Sequence, residues 1–469
     1  MFIGREPELQ LLRRHLRDRS KAQLIVLYGR RRIGKSTLIQ QAVKNEKKVL
    51  FFEGIERENT RTQIDQFLDD LSRQTGRVRL AAGNWREVFQ GLDELIRSDR
   101  WVLVFDEFPW MGAGRSRIVA DLKLYWDRWA RNKNLCLFLC GSVASFMTRH
   151  VVHSKALHNR KTLEMCLQPL TPRDSGLFIR RRSIREKAQL YMTLGGIPKY
   201  LEQIDPRQSL NQNLNRLCFS ASGFFVEEYE TLFKEQFRSI KVYETIVESL
   251  SREPMGTSEL ARRTGLRRGG GLQDQINNLE RSQFVRAYQP VKLGREHRLR
   301  TKMYKLVDPF LLFYFRYIRP NRYIIQRNKK GENLFGSIAG PTLQQYYGYA
   351  FERLCEDAMD ELLDRLGLRL VDVKVMGPYF QQSRSRGQGL QIDWFIIRRD
   401  SVWSLLEFKY GTAAAGTEVI REVEGKINRI GVPSSVTVEP ILVSAAGVTA
   451  AVKKSGYFNQ ILGLSDLVS

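Results

Sequence analysis

The chain is poor in the residues that build disulfide or zinc frameworks, with five cysteines and five histidines in 469 residues. Cys136, Cys140, Cys166, Cys218 and Cys355 form no CxxC pair and no Cys/His cluster, which excludes such a framework as the organising device. Cys136 and Cys140 lie four apart in LCLFLC and read as small packing residues of a strand. No apolar run reaches the ~18 residues of a membrane span, and MFIGREPELQ carries no signal-peptide core. A reduced, cytoplasmic location without a membrane partner is the expectation. Acid is also scarce, with 51 Asp and Glu against 76 Lys and Arg, a net charge of +25. An excess of that size goes beyond what solubility asks and predicts a polyanionic partner, DNA foremost.

What is present is ample apolar material, 42% of the chain, enough for roughly two to four domains. Short apolar runs LIVLY (24–28), KVLFFEG (48–54), WVLVF (101–105) and LCLFLCG (135–141) alternate with helical patterns, which predicts an α/β fold built on a mainly parallel sheet. The expected order is a parallel-sheet core over 1–165, a helical lid over 166–235, a winged helix over 236–318, a linker over 319–340 and a final α/β domain over 341–469. The winged-helix expectation rests on three helical patterns (SIKVYETIVESL, TSELARRTG and LQDQINNLERSQFV) followed by two strand-like runs around KLGREHRLRTK.

GRRRIGKST, Gly29 to Thr37, fits the phosphate-loop pattern G-x-x-x-x-G-K-[ST] and lies between an apolar strand and a helix. Gly29 and Gly34 free backbone N–H groups to wrap a phosphate, Lys35 neutralises it, and the Ser36 hydroxyl, next to Thr37, reaches Mg²⁺. WVLVFDEF delivers Asp106 and Glu107 to a strand end, Asp106 for the Mg²⁺ shell and Glu107 to activate water.

These motifs, with FIGREPEL at the start, LCGS after the fourth strand and GGIPKY at 195–200, resemble the archaeal-type ATPase family, P-loop ATPases of AAA+/STAND kind. The resemblance implies ATP and Mg²⁺ as cofactors, Ile3, Gly4 and Arg5 near the adenine, Pro198 near the base, and Ser142 as sensor. It also makes Arg160, in ALHNRKT, a candidate arginine finger or sensor.

Further on, Arg262, Arg263, Arg267 and Arg268 precede the third helix of the winged-helix pattern, and Arg295, Arg298, Arg300 and Lys302 lie in or beside its wing, a distribution suited to DNA. The stretch QIDWFIIRRDSVWSLLEFKY then sets Asp393, Glu407 and Lys409 in two apolar strand-like runs, a D-x13-E-x-K spacing. The bare spacing is worth about one chance match in a chain this long. Its weight comes from context, because ionisable groups in apolar strands are costly without a metal or mutual pairing. Two paired strands would place Asp393 and Glu407 together as ligands of Mg²⁺ or Mn²⁺ with Lys409 alongside. With Glu352 on the upstream helix YAFERLCEDAMDELL, the arrangement resembles the PD-(D/E)xK nuclease core, a restriction-endonuclease-like α/β fold, and that resemblance implies that Glu352 joins the metal site. On the following helix, Glu422 and Lys426 both remain open as site residues. The leading expectation is a DNA-acting ATPase with a metal-dependent nuclease. The rival expectation is a non-cutting ATP switch or assembly, including a homo-oligomer, with a degenerate nuclease fold.

Overall fold

Five strands lie side by side in the order β2-β3-β4-β1-β5, all parallel: β1 (Gln23–Gly29), β2 (Val49–Glu53), β3 (Trp101–Asp106), β4 (Leu135–Gly141) and β5 (Leu163–Leu167). The computed structural model describes residues 2–96, 99–142, 146–237, 240–293, 297–298, 302–381 and 389–469. Residues 1–169 with 277–283 form one compact unit, and residues 170–276 with 284–469 another.

In the first unit β4 is buried at every position, as its unbroken apolar run requires when helices cover both faces of a parallel sheet. The accompanying helices are α1 (Glu6–Arg17), α2 (Lys35–Val43), α3 (Thr60–Thr75), α4 (Trp85–Leu95) and α5 (Ile118–Arg128). The end of β3 is anchored by aromatic packing: Phe105 meets Phe52 and Phe67 edge to face, with centroids 5.7 and 5.4 Å away. Asp106 and Glu107 therefore leave the sheet from a rigid support. β5 was not expected as a strand. Its LEMCL pattern is only half-buried, which suits an edge position and weakens any periodic signal. β5 also explains Gly29, since a Cβ there would stand 2.7 Å from the Leu167 carbonyl oxygen.

The second unit starts with short helices that include α6 (Ile184–Leu194), opened by a Ser183/Glu186 capping box. Then come α7 (Ile240–Arg252), α8 (Thr257–Thr264) and the first half of α9 (Gly270–Arg281), whose residues from 277 on belong to the first unit, and a small sheet of β6 (Met255–Gly256), β10 (Met303–Leu306) and β7 (Val285–Tyr288) in that order. The intervening hairpin, β8 (Val291–Lys292) and β9 (His297–Arg298), does not extend this small sheet. It adds to the edge of a seven-stranded sheet, with Val291 beside Tyr379. The two strand-like runs expected around KLGREHRLRTK correspond to β7 and β10, which pair antiparallel, and β8, between them in the chain, is docked through the buried Val291. Residues 319–340, expected as a linker, form short helical turns whose side chains are engaged: Arg322 meets Glu227 and Glu230, and the buried Asn328 donates to the Phe219 carbonyl at 2.9 Å.

The large sheet follows helix α10 (Gly340–Asp357). It runs β15-β14-β13-β12-β11-β8-β9, with β11 (Val373–Gln381), β12 (Leu390–Arg398), β13 (Val402–Lys409), β14 (Thr437–Ser444) and β15 (Gln460–Leu462). β11, β12 and β13 are antiparallel neighbours. Helix α11 (Glu418–Ile430) then crosses over so that β14 runs parallel to β13. A buried ionic cluster ties the small sheet to α10. Arg286 of β7 pairs with Glu356 and Asp357, Lys305 of β10 pairs with Glu356, and Tyr191 of α6 donates to Asp357 at 3.1 Å. Burial would raise the Glu356 carboxyl, but Lys305 and Arg286 outweigh it and hold it below the usual range. Glu356→Ala would leave the buried Lys305 ammonium without its carboxylate, while the exposed Arg286 keeps Asp357, so a loss of about 3 kcal/mol is expected in chemical denaturation.

Candidate active sites

The first site is built on three strand ends. Between β1 and α2 the chain turns through Arg32 and Gly34 at φ 67° and 89°, which aims the first turn of α2 into the bend. Lys35, buried, donates to the Arg30 carbonyl at 2.9 Å and the Gly29 carbonyl at 3.4 Å, so its ammonium lies within the loop where a phosphate would be cradled. Ser36 donates to Asp106 Oδ2 at 2.5 Å, while Asp106 Oδ1 accepts from the Glu107 backbone at 2.9 Å. A hydroxyl and a carboxylate in direct contact are hard oxygen donors of the kind Mg²⁺ takes, so these residues fit that ion. Glu107 adopts a left-handed backbone, φ 45°, and its Oε2 accepts from the Ser142 hydroxyl at 2.6 Å. Gly4 and Arg5 are also left-handed, and the buried Arg5 guanidinium reaches the Ile33 carbonyl of the loop at 3.5 Å and Glu8 at 3.1 Å.

The structure therefore brings together Gly4, Arg5, Gly29, Gly34, Lys35, Ser36, Asp106, Glu107 and Ser142, with Thr37 exposed in the first turn of α2. It adds one residue the sequence did not flag. Glu53 ends β2 in register with Asp106, and its carboxyl is raised by partial burial and then by Asp106 and Glu107. The only hint in the sequence was an acid closing KVLFFE. Gly54 follows, with its N–H on the Asp106 carbonyl at 3.0 Å, and a Cβ there would lie 2.5 Å from the Glu107 carbonyl oxygen. Gly54→Ala is expected to cost about 1–3 kcal/mol of stability and to lower ATP turnover by shifting Glu107, read by thermal melting and phosphate release.

Arg160 lies just before β5, at the end of the sheet opposite Lys35, and forms a two-pronged ion pair with Asp127 at 2.6 and 2.8 Å. It does not reach the phosphate loop of its own chain, because a parallel sheet sends the starts and the ends of its strands to opposite edges. Pro198 opens the turn Pro198–Leu201 in the second unit.

A phosphate loop between a central strand and a helix, with its lysine, a serine facing an aspartate and a strand-end glutamate, defines a P-loop ATPase. Residues 2–204 match the family described as an ATPase domain predominantly from Archaea, which supports an archaeal-type P-loop ATPase. ATP is accordingly its nucleotide. Residues 314–420 match a family described as archaeal and bacterial proteins of unknown function. An uncharacterised protein of Methanocaldococcus jannaschii is 26% identical over 364 residues, which is 77% of this chain and 78% of that protein. An uncharacterised ATP-binding protein of the same organism is 49% identical over 47 residues, 10% of this chain and 78% of that protein. Among solved structures, a Walker-type ATPase of Pyrococcus abyssi aligns with TM-score 0.49 and 20% identity, covering 67% of this chain and 96% of that one. An ORC2 protein of Aeropyrum pernix, in ADPNP–ADP complexes, aligns with TM-score 0.43 and 15% identity, covering 69% and 94%.

The second site lies on β12 and β13. Trp394 pairs with Leu406, so Asp393 and Glu407 are the next opposed positions on one face, and the Phe408 N–H donates to Asp393 Oδ2 at 2.9 Å. Lys409 Nζ lies 3.1 Å from Glu407 Oε1 and 2.5 Å from Glu422 of α11, while Lys426 Nζ sits 2.5 Å from Glu407 Oε2. Both helix residues that the sequence left open thus face the site. Burial, then Glu407 and Glu352, push Asp393 up to about 7. Burial likewise raises Glu352 on α10, with Glu407 adding to it against the pull of Arg353. Burial would lower Lys409, but Glu407 and Glu422 outweigh it and raise it to about 12, so it is an ammonium. Among the described residues no three His, Cys, Asp or Glu side chains form a ready-made metal cage. The oxygen donors of Asp393 and Glu407 nevertheless fit a hard divalent cation.

In the region expected to meet DNA, Arg267, Arg268 and Lys302 are exposed. Arg262 and Arg263 are spent on Glu259 and Glu253. Arg298 lies in β9, the strand at the outer edge of the docked hairpin, and Arg295 and Arg300 lie outside the described residues. No helix among the described residues is long and apolar enough to cross a membrane.

Proposed function

We propose that this ATPase acts on DNA, coupling ATP turnover to a winged helix and to metal-dependent hydrolysis of phosphodiesters by the PD-(D/E)xK-like domain. The observation that carries the reading is the meeting of Asp393, Glu407 and Lys409 on adjacent strands, with Glu352 from the preceding helix close enough to raise Asp393. The order α10, three antiparallel strands, α11 and a parallel β14 supports it, as do three helices followed by strands over 240–306.

At the phosphate loop Ser36 and Asp106 would hold Mg²⁺, Lys35 would bind the ATP phosphates, and Glu107, oriented by Ser142, would take the proton of the attacking water. At the second site Asp393 and Glu407 would hold a divalent cation, Mg²⁺ or Mn²⁺, whose chemistry is to acidify water and polarise a phosphodiester oxygen. Lys409, charged and fixed by Glu407 and Glu422, would stabilise the negative charge that grows on phosphorus-bound oxygens. Arg160, remote from its own Lys35, suits an arginine finger directed at the nucleotide of a second copy, and thus a homo-oligomer.

The test is incubation of plasmid, linear and single-stranded DNA with wild type, Lys35→Ala and Asp393→Ala, with and without ATP and Mg²⁺. ATP-dependent cleavage lost in both variants is expected. The seating of Lys426 on Glu407 favours a second reading, a non-cutting switch, and DNA retained but never cleaved by wild type would establish it in place of the first.

A further inference from the structure

Beside Asp393 opens a cleft of about 460 Å³, closed on its other side by α11. Arg421, Gly425 and Arg429 line it at intervals of four residues, hence along one helix face, and Lys426 adjoins them. Arg421 is exposed and has no carboxylate partner among the described residues, while Arg429 is held at the rim by a bond to the Gly389 carbonyl at 3.2 Å. Eight residues of helix separate the two guanidinium-bearing positions by about 12 Å, too far for one phosphate to reach both. Between them Gly425 leaves a notch: a Cβ there would meet nothing within 4 Å, so packing does not call for glycine in a helix interior, where it lowers helix stability. The Asp393 carboxylate at the floor, Arg421, Lys426 and Arg429 on a wall whose Glu422 is paired with Lys409, and a gap in that wall suit a chain of phosphodiesters lying across a bound cation.

We infer that this face of α11 is a phosphate cradle for one polynucleotide strand. Arg421 and Arg429 hold phosphates on either side of a phosphodiester lying over Gly425, and Lys426 leaves Glu407 for that phosphodiester when a divalent cation takes its place. The inference rests on the reading of Asp393, Glu407 and Lys409 as a phosphodiester site. An ammonium 2.5 Å from a buried carboxylate oxygen occupies the position a cation would need, so metal and Lys426 compete for Glu407.

The test uses the full chain carrying Arg267→Ala and Arg268→Ala, to remove an exposed arginine pair of the winged-helix region, and a fluorescein-labelled single-stranded 15-nucleotide DNA read by anisotropy in Ca²⁺ across a salt series. Adding Arg421→Gln with Arg429→Gln is expected to weaken binding about tenfold or more. It should also flatten the slope of log K against log salt by about 1.4, from two lost contacts at ~0.7 each. Gly425→Leu, which leaves charge unchanged, is expected to weaken binding to a similar degree by filling the notch. Lys426→Met is expected to tighten Ca²⁺ binding in calorimetry without DNA while weakening DNA binding in Ca²⁺. Circular dichroism checks that each variant is folded, and Gly425→Leu carries the test if the double arginine variant is not. If folded variants bind the DNA with unchanged affinity and slope, or if poly-glutamate displaces it as readily as unlabelled DNA, the cradle is overturned. If Lys426→Met leaves Ca²⁺ affinity unchanged, the competition is overturned. These readouts need no cleavage, so they stand apart from the reading beneath them: a protein that binds as expected but never cuts keeps the cradle and loses the nuclease.

Discussion

Glu107→Gln is expected to lower kcat for ATP hydrolysis about 1,000-fold, within the ~10²–10⁴ that a general base contributes, while leaving ATP binding intact. Glutamine has nearly the size of glutamate, and its amide oxygen can still accept from the Ser142 hydroxyl that meets Oε2 at 2.6 Å. The left-handed backbone at Glu107 and the Asp106–Ser36 contact make no demand on the charge that is removed. What disappears is the capacity to take a proton. Lys35→Ala should differ by losing nucleotide affinity together with turnover, because its ammonium lies inside the phosphate loop. Phosphate release and binding of a non-hydrolysable ATP analogue separate the two. Wild-type turnover in Glu107→Gln would sink the assignment and transfer attention to Glu53, the acid in register on the neighbouring strand.

Asp393→Asn is expected to abolish DNA cleavage, by about 1,000-fold or more, and to remove a pH-dependent weakness of the metal-free fold. Asp393 stands at about 7 in the folded chain against an ordinary 3.8, raised by burial and by Glu407 and Glu352, with the Phe408 N–H and Lys426 opposing. A folded-state value above the unfolded one means that the native protein binds the proton more tightly. No penalty exists below the ordinary value, stability falls as pH rises from about 4 to about 7, and the loss is complete above. A rise of that size corresponds to roughly 4 kcal/mol. In EDTA at pH 8, Asp393→Asn should therefore melt higher than wild type, and at pH 4 the two should converge. Mg²⁺ without nucleotide should raise the melting temperature of wild type by far more than that of the variant. Equal Mg²⁺ effects in both would remove Asp393 from the metal site.

The features legible in the sequence are those whose parts lie close together in the chain. Gly29 to Ser36 spans one turn between a strand and a helix, and Asp106 with Glu107 simply closes the strand before it. Asp393 and Glu407 belong to neighbouring strands joined by the short turn between Arg398 and Val402, so a spacing of thirteen residues already implies their meeting. Features assembled from distant segments were less visible. Glu53 acquires meaning only from the parallel register that sets it beside Asp106, a match that no periodicity within KVLFFE encodes. The β8–β9 hairpin lies within a stretch expected only as the basic turn between two strands. Its backbone hydrogen-bonding edge instead joins that of β11, and Val291 enters the core of the large sheet.

By itself the amino-acid sequence determined the phosphate loop, its acidic strand end, the alternation that makes the first sheet parallel, and the pairing of Asp393 with Glu407. Each depends on local backbone geometry and on side chains whose spacing matches a helix or strand period. Only the tertiary structure decided that Lys426 and Glu422 occupy the carboxylate–lysine site, that Arg160 points away from its own nucleotide loop, and that α10 is bound to the small sheet through Arg286, Lys305 and Glu356. Those outcomes depend on which buried charges find partners across long stretches of chain. That choice is set by the free energy of leaving an ion unpaired in the interior, which composition and spacing do not carry.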